Sequence, residues 1–321
     1  MTKETNHILL YGIGAIGGFY TFVLDNSREA HVSVVGRSNF QAIKENGLTL
    51  KSVIFGDKIV KPFGVFPNTQ EASVNKYKYV VCCNKALEPE KLPDQLKDVI
   101  TPSYTTVVLI QNGVGAEEPL RTAFPDNGII TCVTWVGATQ VAPGQIHHVN
   151  RNSITLGGYD STTTESDVEE FSQLLQKGGS EVEVSKEMQV KRWEKVIWNI
   201  AWNSLTTLTM LNTEQFLIHS SEYAIPLSRK LMHEAVTVAR ACNVNIDYSV
   251  IDALMDKTLG TKGGMESSMM NDLRNNRPME VEVILGYPMR KAKEHNVPTP
   301  ILDTLYVLMA AQNYRVKNVR L

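Results

Sequence analysis

The segment HILLYGIGAIGG, from His7 to Gly18, constrains this chain more than any other stretch. An apolar run suited to a buried strand meets Gly12, Ile13, Gly14, Ala15, Ile16 and Gly17, and then the apolar helix positions Phe19, Phe22, Val23 and Leu24. Each glycine has a separate use in a strand–turn–helix unit. Gly12 permits the tight turn, Gly14 lets backbone approach a pyrophosphate, and Gly17 allows close packing of helix on strand. The N–H groups at the start of the helix, with its partial positive charge, then suit phosphate. The alternative is a glycine-rich turn kept for packing alone. The setting at a strand end favours dinucleotide binding.

The rest of the first half fits a sheet around that unit. VSVVG, YVVCC, TTVVLIQ and GIITCVTWVG read as buried strands, and runs apolar on both faces suit a parallel sheet covered by helices. QIHHV and SITLGG read as further, antiparallel additions. About twenty residues past the glycines, an NAD-preferring site would carry Asp or Glu on the ribose hydroxyls. Here the strand ends in Gly36-Arg37-Ser38. Arg37 can pair with a 2′-phosphate, and a neighbouring Ser or Asn can add a hydrogen bond. NADP(H) is therefore favoured over NAD(H), the alternative being a solvated Arg37. Lys85 follows strand YVVCC, and Asn112 follows TTVVLIQ in the turn Gln111-Asn112-Gly113-Val114-Gly115. Ligands of open parallel sheets bind beyond the carboxyl ends of the strands, so both residues are placed to touch cofactor or substrate. A solvated lysine and a structural Asn-Gly turn remain the plain alternatives.

The pattern changes after EVEV. From Trp193 onward helical periodicity dominates. Helices are expected over Lys186–Leu211, Tyr223–Cys242, Val250–Leu259, Ser267–Asn275, Glu280–His295 and Ile301–Tyr314. This gives an α/β domain of Rossmann type over residues 1–185 and an all-helical domain over 186–321. A chain of 321 residues with 43% hydrophobic content can bury two such cores. With 32 basic against 34 acidic residues, nothing asks for nucleic acid or an anionic membrane as partner. No apolar run reaches the length of a membrane span, and the N-terminus lacks the pattern of a signal or transit peptide. A cytoplasmic location is the expectation. The four cysteines lack metal-ligand spacing, and no metal is expected; Cys82 and Cys83 read as buried free thiols.

One segment of the second half is unusual. RWEKVIWNIAWNSL places Lys195, Asn199 and Asn203 at four-residue spacing on an otherwise apolar helix. A helix turns about 100° per residue, so these three form one polar stripe while Trp193, Val196, Ile197 and Ile200 are free to pack. A lysine in partly dry surroundings has its pKa drawn toward neutrality and can donate a proton. Two amides beside it can orient a carbonyl or hydroxyl without adding charge. A solvent-exposed polar face is the plain alternative. Ser268 lies near a helix start, where it can cap the helix or bind a carboxylate. Glu280 opens an apolar-periodic helix, where it can favour the positive end.

Together these residues resemble the ketopantoate reductase (2-dehydropantoate 2-reductase) family, within the two-domain reductases whose C-terminal domain is like that of 6-phosphogluconate dehydrogenase. GIGAIGG, NKA at Lys85, QNGVG, WEKVIWNIAWN, SSMMNDL and PMEVEVILG carry the resemblance, in the family's order along most of the chain. The resemblance implies that Gly12 to Gly17 hold the pyrophosphate and Arg37 the 2′-phosphate. Lys85, Asn112 and Ala138 would line the cofactor, with Asn112 also at the substrate. Lys195 would be the catalytic lysine. Asn199, Asn203 and Ser268 would contact substrate, and Glu280 would serve both catalysis and the nicotinamide end. Departures fall at the substrate end. Asn150-Arg151-Asn152 replaces expected glycines, Met279 stands where a Thr is usual, and a further family asparagine reaches Asn212 only with a one-residue shift.

The implied activity is NADPH-dependent reduction of a 2-oxo acid, ketopantoate to pantoate, on the route to pantothenate and coenzyme A. Two alternatives stay open: a relative reducing another ketone or aldehyde, and a non-catalytic NADP(H)-binding sensor. Analogy between folds adds a homodimer to the expectations.

Overall fold

The computed structural model describes residues 6–318. The opening motif folds as a strand, β1 (Asn6–Tyr11), followed by the helix Ala15–Asn26. Strands β2 (Ala30–Val35), β3 (Leu48–Ser52), β4 (Gly56–Val60), β5 (Gly64–Phe66), β6 (Tyr79–Cys82), β7 (Thr106–Leu109), β8 (Ile129–Ala142), β9 (Gln145–Gly158) and β10 (Glu181–Val184) follow in chain order. They form one sheet in the order β4-β3-β9-β8-β7-β6-β1-β2-β5, with β10 also pairing β9. From β5 through β2, β1, β6 and β7 to the start of β8 every pairing is parallel. In β1, successive residues Ile8, Leu9 and Leu10 are all buried. Successive side chains point to opposite faces, so both faces of this central strand are covered, as the uninterrupted apolar runs require.

QIHHV and SITLGG are not separate strands. They are the two ends of β9, which runs antiparallel to β8 along its length. Asn150 pairs Gly137 and Asn152 pairs Val136, leaving Arg151 as the extra residue of a bulge, with φ +53°. A bulge absorbs one residue without ending the strand. β9 then gives one end to β3 and the other to β10, both parallel. Asn152 donates to the Gly179 carbonyl at 2.7 Å and accepts from the Ser180 hydroxyl at 3.0 Å, so its role is structural. None of the four cysteines forms a disulfide; Cys82 and Cys132 are buried residues, and Cys83 and Cys242 are part-buried.

The chain clusters into two compact units. The first comprises Met1–Lys85, Glu90–Gln111 and Glu117–Met188; the second comprises Ala86–Pro89, Asn112–Ala116 and Gln189–Leu321. Two short loops of the first half thus belong to the helical unit. In that unit the helix Ala224–Ala241 packs against Thr213–His219, Val250–Leu259, Tyr287–Glu294 and Pro300–Asn318. The expected helix over Glu280–His295 is present over residues 281–294 as one continuous helix, with a π-helical turn at Glu282–Gly286 leading into the α-helical part Tyr287–Glu294. Among the described residues, no helix is long and apolar enough to cross a membrane.

Candidate active site

In the first unit, the carboxyl ends of β1, β2 and β6 converge on the glycine-rich turn. Gly12 has φ +94°, and a Cβ there would lie 2.3 Å from the Asn84 backbone nitrogen. A Cβ on Gly17 would lie 2.1 Å from the Gly12 carbonyl oxygen. These two glycines are fixed by protein packed against them. Gly14 differs: a Cβ there would meet only the Gln140 side-chain oxygen, at 3.9 Å. Gly14 is also the N-cap of the Ala15–Asn26 helix, with no side-chain cap and no acidic residue in the first turn. The open space and the uncapped N–H groups make an anion cradle.

Arg37 lies just past β2, exposed, with φ +32°, and makes no ion pair among the described residues. Lys85 is exposed at the end of the same unit's β6 segment. Ala138 lies at the register shift of β8, part-buried. Asn39 and Gln140 support the glycine turn. Asn39, buried, donates to the Ile13 carbonyl and accepts from Gln140 at 2.7 Å. Its amide holds the glycine turn in place, so it is not the neighbour of Arg37 that would face a ribose phosphate.

The Lys–Asn–Asn stripe lies on the helix Met188–Thr209 in the second unit. Trp193, Val196, Ile197 and Ile200 are buried. Asn199 and Asn203 are buried as well, 8% and 4% exposed, and among the described residues neither amide has a side-chain hydrogen-bond partner. Their amide atoms are not fully enclosed by protein, so this pair can meet a ligand. Lys195 keeps some contact with solvent, yet protein surrounds its ammonium. That burial, with the charge of Arg192, pushes its pKa down to about 8; Glu280 opposes the shift and Lys257 adds to it. The Lys257 ammonium lies 5.0 Å from the centre of the Trp198 ring.

Glu280 stands just before the π-helical turn, 9% exposed. One carboxylate oxygen accepts from the Ala86 backbone N–H at 3.0 Å, and the other accepts from the Asn112 amide at 3.2 Å. Both donors lie in the two loops that cluster with the helical unit. The preceding residue is fixed too, since the Met279 N–H donates to the buried Asn313 side chain at 2.9 Å. A π-helical turn is a common feature of functional sites. Here it brings the Val283 carbonyl to the Val114 N–H at 3.1 Å.

Ser267, not Ser268, caps the helix Ser268–Arg274, accepting from the Met270 N–H at 3.0 Å. Its hydroxyl also lies 2.7 Å from that of Thr206, one turn past Asn203. The start of this helix is thereby tied to the stripe helix, and the exposed Ser268 hydroxyl is not needed as a cap. Asn212 is engaged elsewhere: it caps Thr213–His219 in a reciprocal capping box with Gln215. The expected site residues therefore fall into two sets. Gly12 to Gly17, Arg37, Lys85 and Ala138 lie in the first unit; Asn112, Lys195, Asn199, Asn203, Ser268 and Glu280 lie in the second.

Comparison with known proteins gives concordant results. The family model for ketopantoate reductase PanE/ApbA matches residues 8–161, and the model for its C-terminal part matches residues 187–313. A 2-dehydropantoate 2-reductase of Nostoc sp. is 29% identical over 308 residues, spanning 95% of this chain and 94% of that protein. The crystal structure of 2-dehydropantoate 2-reductase from Methylococcus capsulatus superposes with a TM-score of 0.87 at 30% identity, covering 97% of this chain and 98% of the other. A D-mandelate dehydrogenase solved with NADH and anilino(oxo)acetate has a TM-score of 0.86 at 24% identity, over 97% of this chain and 99% of the other. At that identity it shows a shared fold.

Proposed function

Because this chain belongs to the ketopantoate reductase PanE/ApbA family, and is thus an oxidoreductase acting on CH–OH groups, we propose that it reduces a 2-oxo acid, ketopantoate first among them, with NADPH. The observation that carries this reading is the environment of Lys195: an ammonium brought to a pKa of about 8, opposite Glu280 and on one stripe with two buried amides.

NADP(H) fits the first unit's residues. The open Gly14 position and the uncapped helix start suit a pyrophosphate. Arg37 offers a charge at the end of β2, where Asp or Glu would have favoured NAD(H). Lys85 and Ala138 complete that set. In this reading residues 1–185 hold the cofactor and 186–321 carry the chemistry. When bound, the cofactor supplies the hydride.

The chain's own residues do the rest. The Lys195 ammonium hydrogen-bonds the carbonyl oxygen, stabilises the charge that grows there and gives up its proton, leaving the alcohol and a neutral lysine. Water returns the proton to Lys195. Asn199 and Asn203 orient the substrate, and the Ser268 hydroxyl donates to its carboxylate. Glu280 holds Asn112 and the Ala86 N–H in fixed positions and keeps a negative charge facing Lys195.

A second reading, reduction of a different 2-oxo acid or other carbonyl compound, is favoured by Asn212, which is occupied by capping, and by Met279, which is buried. The test is NADPH oxidation at 340 nm with ketopantoate beside other 2-oxo acids, ketones and aldehydes, with NADH as control. Turnover of ketopantoate well above the rest, with NADPH preferred, is the expected outcome. Preference for another carbonyl selects the second reading. Tight NADPH binding without turnover of any compound contradicts both and makes the chain a sensor.

A further inference from the structure

We propose that Arg192 is a positioning residue of this reaction, acting through the Asn112–Ala116 loop and through Lys195 without touching substrate. The proposal rests on the reading of Lys195 as the proton donor. Arg192 lies one turn before Lys195 on the Met188–Thr209 helix and is only 2% exposed. An arginine stays charged at any working pH, so its burial requires strong partners. One of them is the Gly113 carbonyl, which accepts from its guanidinium at 2.5 Å.

Gly113 is gripped from both sides. Its φ is +91°, and a Cβ there would lie 2.4 Å from the Val283 side chain. The next residue bonds the Val283 carbonyl through its N–H, and a Cβ on Gly115 would lie 2.1 Å from the Tyr287 ring. The loop is therefore held between the π-helical turn and the Arg192 guanidinium. Asn112, the residue before Gly113, reaches the Glu280 carboxylate from this loop. Arg192 thus sets the loop that orients Glu280.

Its second action is electrostatic. The charged groups that bear on Lys195 are Arg192 from its own helix, Glu280 from the segment before the π-helical turn, and Lys257 from Val250–Leu259. Arg192 is the strongest of these and holds the lysine toward its neutral form. Lys195 therefore releases its proton more readily with Arg192 in place.

The test compares Arg192→Met, which keeps the bulk and removes charge and donors, with Arg192→Lys, which keeps the charge. In Arg192→Met the alkaline limb of kcat/KM for the keto acid should move up by about one pH unit, and kcat should fall about tenfold. In Arg192→Lys the limb should stay at its wild-type position while kcat is only partly restored. The same titration is read without substrate by reductive 13C-methylation of the lysines and NMR of the Lys195 resonance, which should move in the same sense. If Arg192→Met does not fold, Arg192→Gln carries the same comparison. An unmoved limb and an unmoved Lys195 titration in a folded variant would overturn the proposal, whatever happens to kcat. If the wild type reduces no carbonyl compound, the reading of the reaction fails, and the NMR titration still decides the effect of Arg192 on Lys195.

Discussion

Replacing Lys195 by alanine is expected to cut turnover by at least about a hundredfold, within the usual range for a group that transfers a proton, while NADPH affinity stays close to that of the wild type. The two expectations separate because Lys195 belongs to the second unit and the glycine-rich turn, Arg37 and Lys85 belong to the first. The fold should tolerate the change. Lys195 is part-exposed, and the helix is held by Trp193, Val196, Ile197 and Ile200, all buried. Loss of the ammonium also removes a charge already disfavoured by burial, so no unpaired buried cation is left behind. Equilibrium NADPH titration and steady-state kinetics on the same preparation check both halves. Wild-type turnover in this variant would remove Lys195 from the mechanism.

The second large effect is expected in the glycine-rich turn, where two substitutions of the same kind should behave differently. Gly12→Ala should destabilise the first unit by about 2–4 kcal/mol, since it combines an unfavourable positive φ with a backbone collision. The collision is direct, with the Asn84 backbone nitrogen 2.3 Å from the added carbon. Gly14→Ala should leave the melting temperature nearly unchanged, because its methyl meets only a side-chain oxygen at 3.9 Å. It should instead weaken NADPH binding at least about tenfold, the equivalent of roughly 1.4 kcal/mol, by filling the space a pyrophosphate needs. Thermal unfolding and cofactor titration on both variants decide the matter. A Gly14→Ala protein that binds NADPH as tightly as the wild type would place the cofactor elsewhere.

Much of this architecture was readable in the chain because the signals were local. HILLYG followed by GIGAIG fixes a strand, a turn and a helix within a single stretch, and the parallel sheet follows from apolar runs covered on both faces. The helix carrying Lys195 was legible from its spacing, and it runs from Met188 to Thr209, close to the expected Lys186–Leu211. Short elements were not legible. β4, GDKIV, is exposed along most of its length, so no apolar pattern marks it; it is a strand only because it pairs with β3. In the sequence β9 reads as two pieces because Asn150-Arg151-Asn152 looks like a turn, and only its pairing with β8 shows a bulge in one continuous strand.

The same division holds for the candidate site. Lys195, Asn199 and Asn203 announced themselves by four-residue spacing. Glu280 was found through the family resemblance, but its bonds to Ala86 and Asn112, residues far away in the chain, could not be read from a sequence. Nothing in the sequence marks Arg192, because a charged residue on a helix ordinarily faces water. Its burial, and its bond to a carbonyl in a distant loop, are products of tertiary packing. The sequence offers a neighbouring Ser or Asn beside Arg37 without choosing between them, and the fold turns the Asn39 amide inward to the Ile13 carbonyl.

The most direct test of the account is the pH dependence of catalysis in both directions. As the proposed proton donor, Lys195, with a pKa of about 8, must be protonated to reduce a ketone and neutral to accept a proton from the alcohol. With the keto acid and NADPH, kcat/KM should therefore fall as pH rises through about 8; with the corresponding hydroxy acid and NADP, it should rise through the same region. Opposite limbs meeting near that pH, both lost in Lys195→Ala, are the expected result. A flat profile in either direction across that range would contradict the assignment of Lys195 as the proton donor.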